Sequence, residues 1–151
     1  MPGSAIFSVE VELGWGYHDL QRPNKYATLS ESRDAETEAL ERLLTLCDQF
    51  EIPVTFDIVG HLMLNDCSGT HRGKYPTDWF GVDPGTDVES DPLFYAPDLI
   101  DMIEAAEVDH EICTHTFSHA LGRELTSSQL DSDLKKAQDL HRERFGQPAE
   151  S

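Results

Sequence analysis

The sequence predicts an α/β fold with parallel strands, and three observations lead to this prediction. Residues 5–13 alternate apolar and polar side chains, as a strand with one buried face does. Residues 33–50 place their apolar side chains on one helical stripe. Two further strand–helix pairs follow, and this alternation implies parallel strands joined by right-handed crossovers. Three such units form half of a barrel or half of a doubly wound sheet.

Local signals set the boundaries of the individual elements. Pro53 interrupts the first helical pattern, and Pro97 suits the first turn of the second helix. Thr126 and Gln129 form a capping box before the third helix, and Gly146 marks its end. The predicted elements are strands at 5–13, 54–60 and 108–114, and helices at 33–50, 97–106 and 127–145.

Residues 61–95 follow neither a helical nor a strand period. They are rich in glycine, proline and charged side chains, with a short turn expected at 62–64. A structureless segment of this length inside a compact domain is commonly functional. We therefore predict a long functional loop within a single, incomplete domain that spans residues 1–151.

The chain is strongly acidic. Twenty-nine Asp and Glu residues against eleven Lys and Arg residues give a formal net charge of −18. Such a surface repels nucleic acid and anionic membranes, which argues against a DNA-binding role. Four lysines and evenly scattered acids favour a halophilic protein over an ordinary acidic cytosolic one, because high salt screens the self-repulsion.

The sequence contains neither an apolar run of about 18 residues nor a basic segment followed by an apolar one at its start. We therefore expect a cytoplasmic protein without a membrane span. Cys47, Cys67 and Cys113 are odd in number, widely spaced and without a CxxC pair. They predict neither a disulfide framework nor a cysteine zinc site.

Four ionisable residues are expected at one edge of the sheet. Glu10 and Glu12 share a face at the end of the first strand, and His115 and His119 follow the third. Two histidines and one carboxylate are a common zinc-ligand set that leaves a position for water. A second carboxylate can act as the general base on that water, so the pattern predicts metal-assisted hydrolysis.

Each pair also has an ordinary explanation. Two glutamates on a polar strand face are commonly only solvated, and a histidine in an HxxxH spacing is commonly a packing or capping residue. The placement of both pairs after parallel strands favours a shared site over these alternatives.

Three segments resemble motifs of the polysaccharide deacetylases, carbohydrate esterase family four. Residues 8–12 (SVEVE) resemble the first motif, and residues 110–119 (HEICTHTFSH) resemble the second, which is the most specific. Residues 53–60 (PVTFDIVG) resemble the intervening strand. The resemblance implies the N-terminal half of a distorted (β/α) barrel of the glycoside hydrolase/deacetylase type, which removes acetyl groups from N-acetylated sugars.

The resemblance also implies a role for each matching residue. Glu10 corresponds to the catalytic base, and Glu12, His115 and His119 correspond to the ligands of a divalent metal, usually zinc. Both acids are Glu where the family has Asp, and moving a carboxylate by about an ångström can cost about 10²-fold in rate.

Three further residues are candidates for substrate binding. Trp15 suits stacking on a sugar ring, Asp57 would face the barrel mouth or support a ligand histidine, and His61 would line the pocket. The alternatives are that Trp15 packs its loop and that His61 caps its strand.

Family members carry an arginine and a general-acid histidine on later strands, and this sequence has no counterpart of either. We therefore expect a fragment that can self-associate through exposed barrel edges. The predicted function is metal-dependent removal of N-acetyl groups from a polysaccharide or glycan precursor. A non-catalytic glycan-binding or assembly module with the same fold, and a cytoplasmic amidase for a small non-sugar amide, remain open as alternatives.

The net charge predicts that salt stabilises the fold. Screening of repulsion among the acidic side chains should raise the melting temperature between low salt and about 1 M KCl, where the Debye length is about 3 Å. Thermal unfolding followed by circular dichroism checks this, and an unchanged or lower melting temperature in molar KCl contradicts it.

Overall fold

A computed structural model describes residues 5–18, 20 and 23–150. Three strands alternate with three α-helices, which confirms the predicted order. The elements are β1 (Ser8–Val11), α1 (Asp34–Phe50), β2 (Thr55–Ile58), α2 (Pro97–Glu104), β3 (Glu111–Thr114) and α3 (Ser127–Phe145). Short 3-10 helices follow β1 at Leu13–Tyr17 and β2 at Gly60–Met63.

The three strands form one parallel sheet with β2 in the middle. Val11 of β1 pairs with Ile58 of β2, which in turn pairs with Thr114 of β3. The three strands therefore end at the same edge of the sheet. This α/β arrangement is consistent with part of a (β/α) barrel.

The strands are shorter than the sequence predicted, at four residues each. Before β2 and β3 begin, side chains and not a neighbouring strand accept backbone hydrogen bonds. Nδ1 of His110 accepts a hydrogen bond from Val54 N at 3.2 Å, and the Asp48 carboxylate accepts one from Val108 N at 2.9 Å. Apolar alternation thus extends beyond the paired residues, so periodicity overestimates the length of each strand.

The two faces of the sheet differ in polarity. Phe56 and Ile58 have no exposed surface and pack with apolar side chains of α1 and α2 in the main core. Burial of each such side chain stabilises the fold by about 1.5–3 kcal/mol. Glu10 and Asp57 lie side by side on the opposite face. The core therefore fixes the sheet while leaving a polar face beside its carboxyl edge.

A long loop connects β2 to α2, in the region where the sequence predicted one. After the 3-10 helix at Gly60–Met63, residues 64–95 contain a single isolated bridge, between Asp66 and Asp87. Among the described residues, no helix combines the length and apolar character needed to cross a membrane.

α3 begins and ends where its caps were predicted. The Gln129 side chain accepts a hydrogen bond from Thr126 N at 2.8 Å, and Gly146 ends the helix with a φ of 77°. A positive φ of this kind is the usual conformation of glycine after a helix. α3 therefore has a defined position, from which its buried side chains reach the loop after β3.

Candidate metal centre and active site

Glu12, His115 and His119 come together at the carboxyl edge of the sheet. Glu12 Oε1 lies 3.1 Å from Nε2 of His115 and 2.9 Å from Nε2 of His119. Of these side chains, His115 is 31% exposed, Glu12 24% and His119 13%. The cluster is therefore open to solvent and within reach of a substrate.

Glu12 is placed by the sharp change from β1 to the following 3-10 helix. Its carbonyl oxygen accepts a hydrogen bond from Trp15 N at 3.0 Å, which starts that helix. Gly16 leaves room for the Glu12 side chain. A Cβ on Gly16 would lie 2.2 Å from Glu12 Oε2 and 2.9 Å from Glu12 Cβ. The position of the carboxylate therefore requires glycine at residue 16.

The two histidines lie on a strained turn after β3. His115 N donates to Ile58 O at 2.8 Å and so continues the ladder beyond the strand. Thr116 and His119 then have positive φ values of 65° and 54°, which side-chain-bearing residues rarely adopt. Thr116 Oγ1 accepts a hydrogen bond from Ala120 N at 2.7 Å. Strained backbone of this kind clusters at functional sites and persists only where its surroundings hold it.

Asp133 of α3 holds this turn in place. Its carboxylate is fully buried and accepts hydrogen bonds from Phe117 N at 2.7 Å and from Ser118 Oγ at 2.6 Å. Ser118 Oγ also accepts a hydrogen bond from Trp79 Nε1 at 2.8 Å, which ties the long loop to the same turn. A buried carboxylate is costly without such partners, so this network is structural support for the histidines.

Asp57 and Glu10 form the polar floor next to the cluster. Burial raises the pKa of the Asp57 carboxyl above its ordinary value, His115 opposes that rise, and Glu10 adds to it. Asp57 thus lies beside the predicted base in the sheet and is close enough to His115 for the two charges to interact.

The donor set fits a divalent metal. The two imidazole nitrogens and the carboxylate oxygen all lie within 4.8 Å of one another. Catalytic zinc sites commonly have three protein ligands of these types and leave one position for water or substrate. The partial exposure of the cluster leaves such a position accessible. Metal binding by Glu12, His115 and His119 stays a prediction.

Two of the residues predicted to bind substrate are inaccessible. Trp15 and His61 have no exposed surface, so neither can contact a sugar in this conformation. The Trp15 indole packs in the main core and donates to Phe94 O at 3.3 Å. His61 instead contacts Cys67 and residues of the long loop, away from Glu12.

Barrel enzymes place their active sites at the carboxyl ends of parallel strands, where this chain brings together two histidines and a glutamate. The family model for polysaccharide deacetylase matches residues 26–151, and the chain belongs to this family. Membership supports deacetylase-type hydrolysis of glycans and implies a carbohydrate substrate. The matched region contains His115 and His119 but begins after Glu10 and Glu12. No curated protein matches the chain.

Asp133 and Gly16 are supporting residues that sequence reasoning missed. Asp133 lies on the buried stripe of α3 with Ala137 and His141. An acidic residue on the inward-facing stripe of a predicted helix could have indicated a buried, hydrogen-bonded carboxylate. Gly16 offered no signal, because nothing in the sequence shows which side chain approaches it.

We predict that Gly16→Ala weakens metal binding without unfolding the protein. The added methyl group must displace Glu12, and disturbed support of a metal ligand typically costs about 10–100-fold in affinity. Zinc titration by calorimetry measures this loss. Gly122→Ala is the matched control, because its added Cβ meets only Leu130 Cδ2 at 3.8 Å. Equal zinc affinity in both variants contradicts the prediction.

We predict that Asp133→Ala destabilises the fold by roughly 1–3 kcal/mol, because Phe117 N–H and Ser118 O–H lose their buried acceptor. Urea unfolding measures the change. Asp131→Ala removes the same side chain from an exposed position of α3 and should leave the free energy of unfolding nearly unchanged. Equal stabilities of the two variants rule out a supporting role for Asp133.

Proposed function

We propose that this protein is a metal-dependent hydrolase that removes N-acetyl groups from a polysaccharide or glycan precursor. The observation that carries the proposal is the convergence of Glu12, His115 and His119 on a solvent-open edge in a member of the polysaccharide deacetylase family. A divalent cation held by these three residues supplies Lewis-acid activation of water and of the acetamide carbonyl.

Glu10 is the proposed general base. It is exposed on the polar face of β1, two residues before Glu12, so both carboxylates project from the same side of the strand. A carboxylate in this position can take one proton of the attacking water. When the acetyl carbon–nitrogen bond breaks, the same carboxyl group can return that proton to the departing sugar nitrogen, so that the amine and acetic acid are the products.

Asp57 is the proposed positioning residue for the base and for His115. It is the cross-strand neighbour of Glu10 on the polar face. Burial is the first cause of the raised pKa of its carboxyl, because removing a charged carboxylate from water is unfavourable. A costly acid beside a predicted ligand histidine suits a functional role better than a purely structural one.

We predict that Glu10→Gln lowers turnover by about 10²–10⁴-fold while zinc binding is retained, because the amide cannot accept a proton. Acetate release from N-acetylated chito-oligomers, measured beside zinc content, tests this. Glu31→Gln makes the same change at an exposed position in the chain before α1 and should keep full turnover.

The Asp57→Asn variant, measured in the same assay, tests whether the general base is Asp57 instead of Glu10. If Glu10→Gln keeps normal turnover while Asp57→Asn abolishes it, the base is Asp57. Binding of acetylated chito-oligomers without their turnover by the zinc-loaded, unmodified chain favours the non-catalytic glycan-binding module. Turnover of small amides alone favours the amidase.

A further inference from the structure

We propose that His61, Cys67, His71 and Asp83 form a second, structural zinc site that anchors the long loop. These four residues, called the loop cluster below, offer one ligand atom each, and the four atoms lie within 4.8 Å of one another. The loop cluster shares no residue with the Glu12–His115–His119 site.

The separations suit a tetrahedral ion. Cys67 Sγ lies 3.7 Å from Nε2 of His61, 3.7 Å from Nε2 of His71 and 3.2 Å from Asp83 Oδ2. Asp83 Oδ2 lies 3.2 Å from His61 Nε2 and 2.6 Å from His71 Nε2. Ligand atoms on a tetrahedral zinc with bonds of about 2.0–2.3 Å lie about 3.3–3.7 Å apart. The contact between Asp83 and His71 must lengthen appreciably, and the one between Cys67 and Asp83 slightly.

The hydrogen bonding of His61 leaves a lone pair directed into the loop cluster. Its Nδ1 lies 3.1 Å from Phe94 O, and a carbonyl oxygen can only accept, so Nδ1 carries the proton. Nε2 of the neutral ring then faces Asp83 Oδ2, a second acceptor, at 3.2 Å. Two acceptors at this distance need either a proton or a metal ion between them.

The two anionic ligands, Cys67 and Asp83, lie in similar backbone turns. Gly69 N donates to Cys67 Sγ at 3.2 Å, and Gly85 N donates to Asp83 Oδ1 at 3.0 Å. Both glycines have positive φ, 70° and 64°, so each turn depends on glycine two residues after the ligand. Tyr95 O–H donates to Asp83 Oδ1 at 3.0 Å. Such outer hydrogen bonds orient metal ligands in known sites.

Burial and charge distinguish this site from a catalytic one. The side chains of His61 and Asp83 have no exposed surface, and that of His71 keeps 5%. Four protein ligands without an open position are the pattern of a structural zinc site. The Cys67 thiolate and the Asp83 carboxylate together balance the charge of one divalent cation.

Lys136 of α3 is the cation next to the loop cluster. Its Nζ lies 2.9 Å from His71 Nδ1 and 3.9 Å from the centre of the Phe117 ring. Zinc on His71 Nε2 leaves the ring proton on Nδ1. An ammonium group has no lone pair to accept that hydrogen bond, so Lys136 would turn away from Nδ1 and keep its contact with the Phe117 ring.

Cobalt substitution tests the proposal, because a thiolate ligand gives Co²⁺ a strong near-ultraviolet charge-transfer absorption. Cys67 is the only sulfur in either cluster, so this absorption reports the loop cluster alone. The chelator-treated full chain should develop the band with one equivalent of Co²⁺ bound there. The band should persist in His119→Ala and in Cys47→Ser, a buried cysteine of α1, and should be lost in Cys67→Ser.

Absence of the band in the unmodified chain, or an unchanged band in Cys67→Ser, overturns the proposal and leaves a protonated His61 as the explanation. Because loss of a structural ligand can prevent folding, His119→Ala provides a second measurement. Zinc-edge X-ray absorption of that variant should show one sulfur at about 2.3 Å. The proposal is also overturned if this variant retains no zinc, or if its zinc is bound by nitrogen and oxygen atoms alone.

Discussion

The parallel register of the three strands is the constraint on which the rest of the structure depends. Because Val11, Ile58 and Thr114 lie in one row, residues more than a hundred positions apart in the chain arrive at a single edge. Glu12 and His115 each follow the last paired residue of their strand. A slip of one residue in either pairing would send these side chains to opposite faces and separate the donor atoms. The apolar face beneath, with Phe56 and Ile58 fully buried, fixes that register.

The site also contains backbone that is unfavourable by itself. Leu13, Thr116 and His119 all have positive φ, and residues of this kind cost of order 1–3 kcal/mol each. Two features offset the cost: the 3-10 helix that packs Trp15 into the core, and the hydrogen bonds that Asp133 accepts from the histidine turn. Stability and site geometry thus depend on the same contacts.

The sequence predicted the order of the elements and the convergence of Glu12 with the two histidines. Hydrophobic periodicity identifies each element from a short segment, and parallel strands bring their carboxyl ends to one edge of the sheet. The sequence did not predict the strand lengths, since they depend on which neighbours pair. The sequence left open whether Trp15 and His61 face a substrate or pack inside, because the path of residues 64–95 depends on tertiary contacts, and both side chains are buried. The potential metal ligands of that loop are irregularly spaced and include no CxxC pair. A search for regular cysteine spacing therefore could not predict that Cys67 lies beside His71 and Asp83.

Asp133 and Lys136 lie three residues apart on α3 and therefore on one face of it. Asp133 supports the turn that carries His115 and His119, and Lys136 contacts His71 in the long loop. One rigid helix thus touches both groups of potential ligands. A substitution that shifts α3 would therefore disturb the residues around both groups at once. The helix itself contributes no potential ligand to either group.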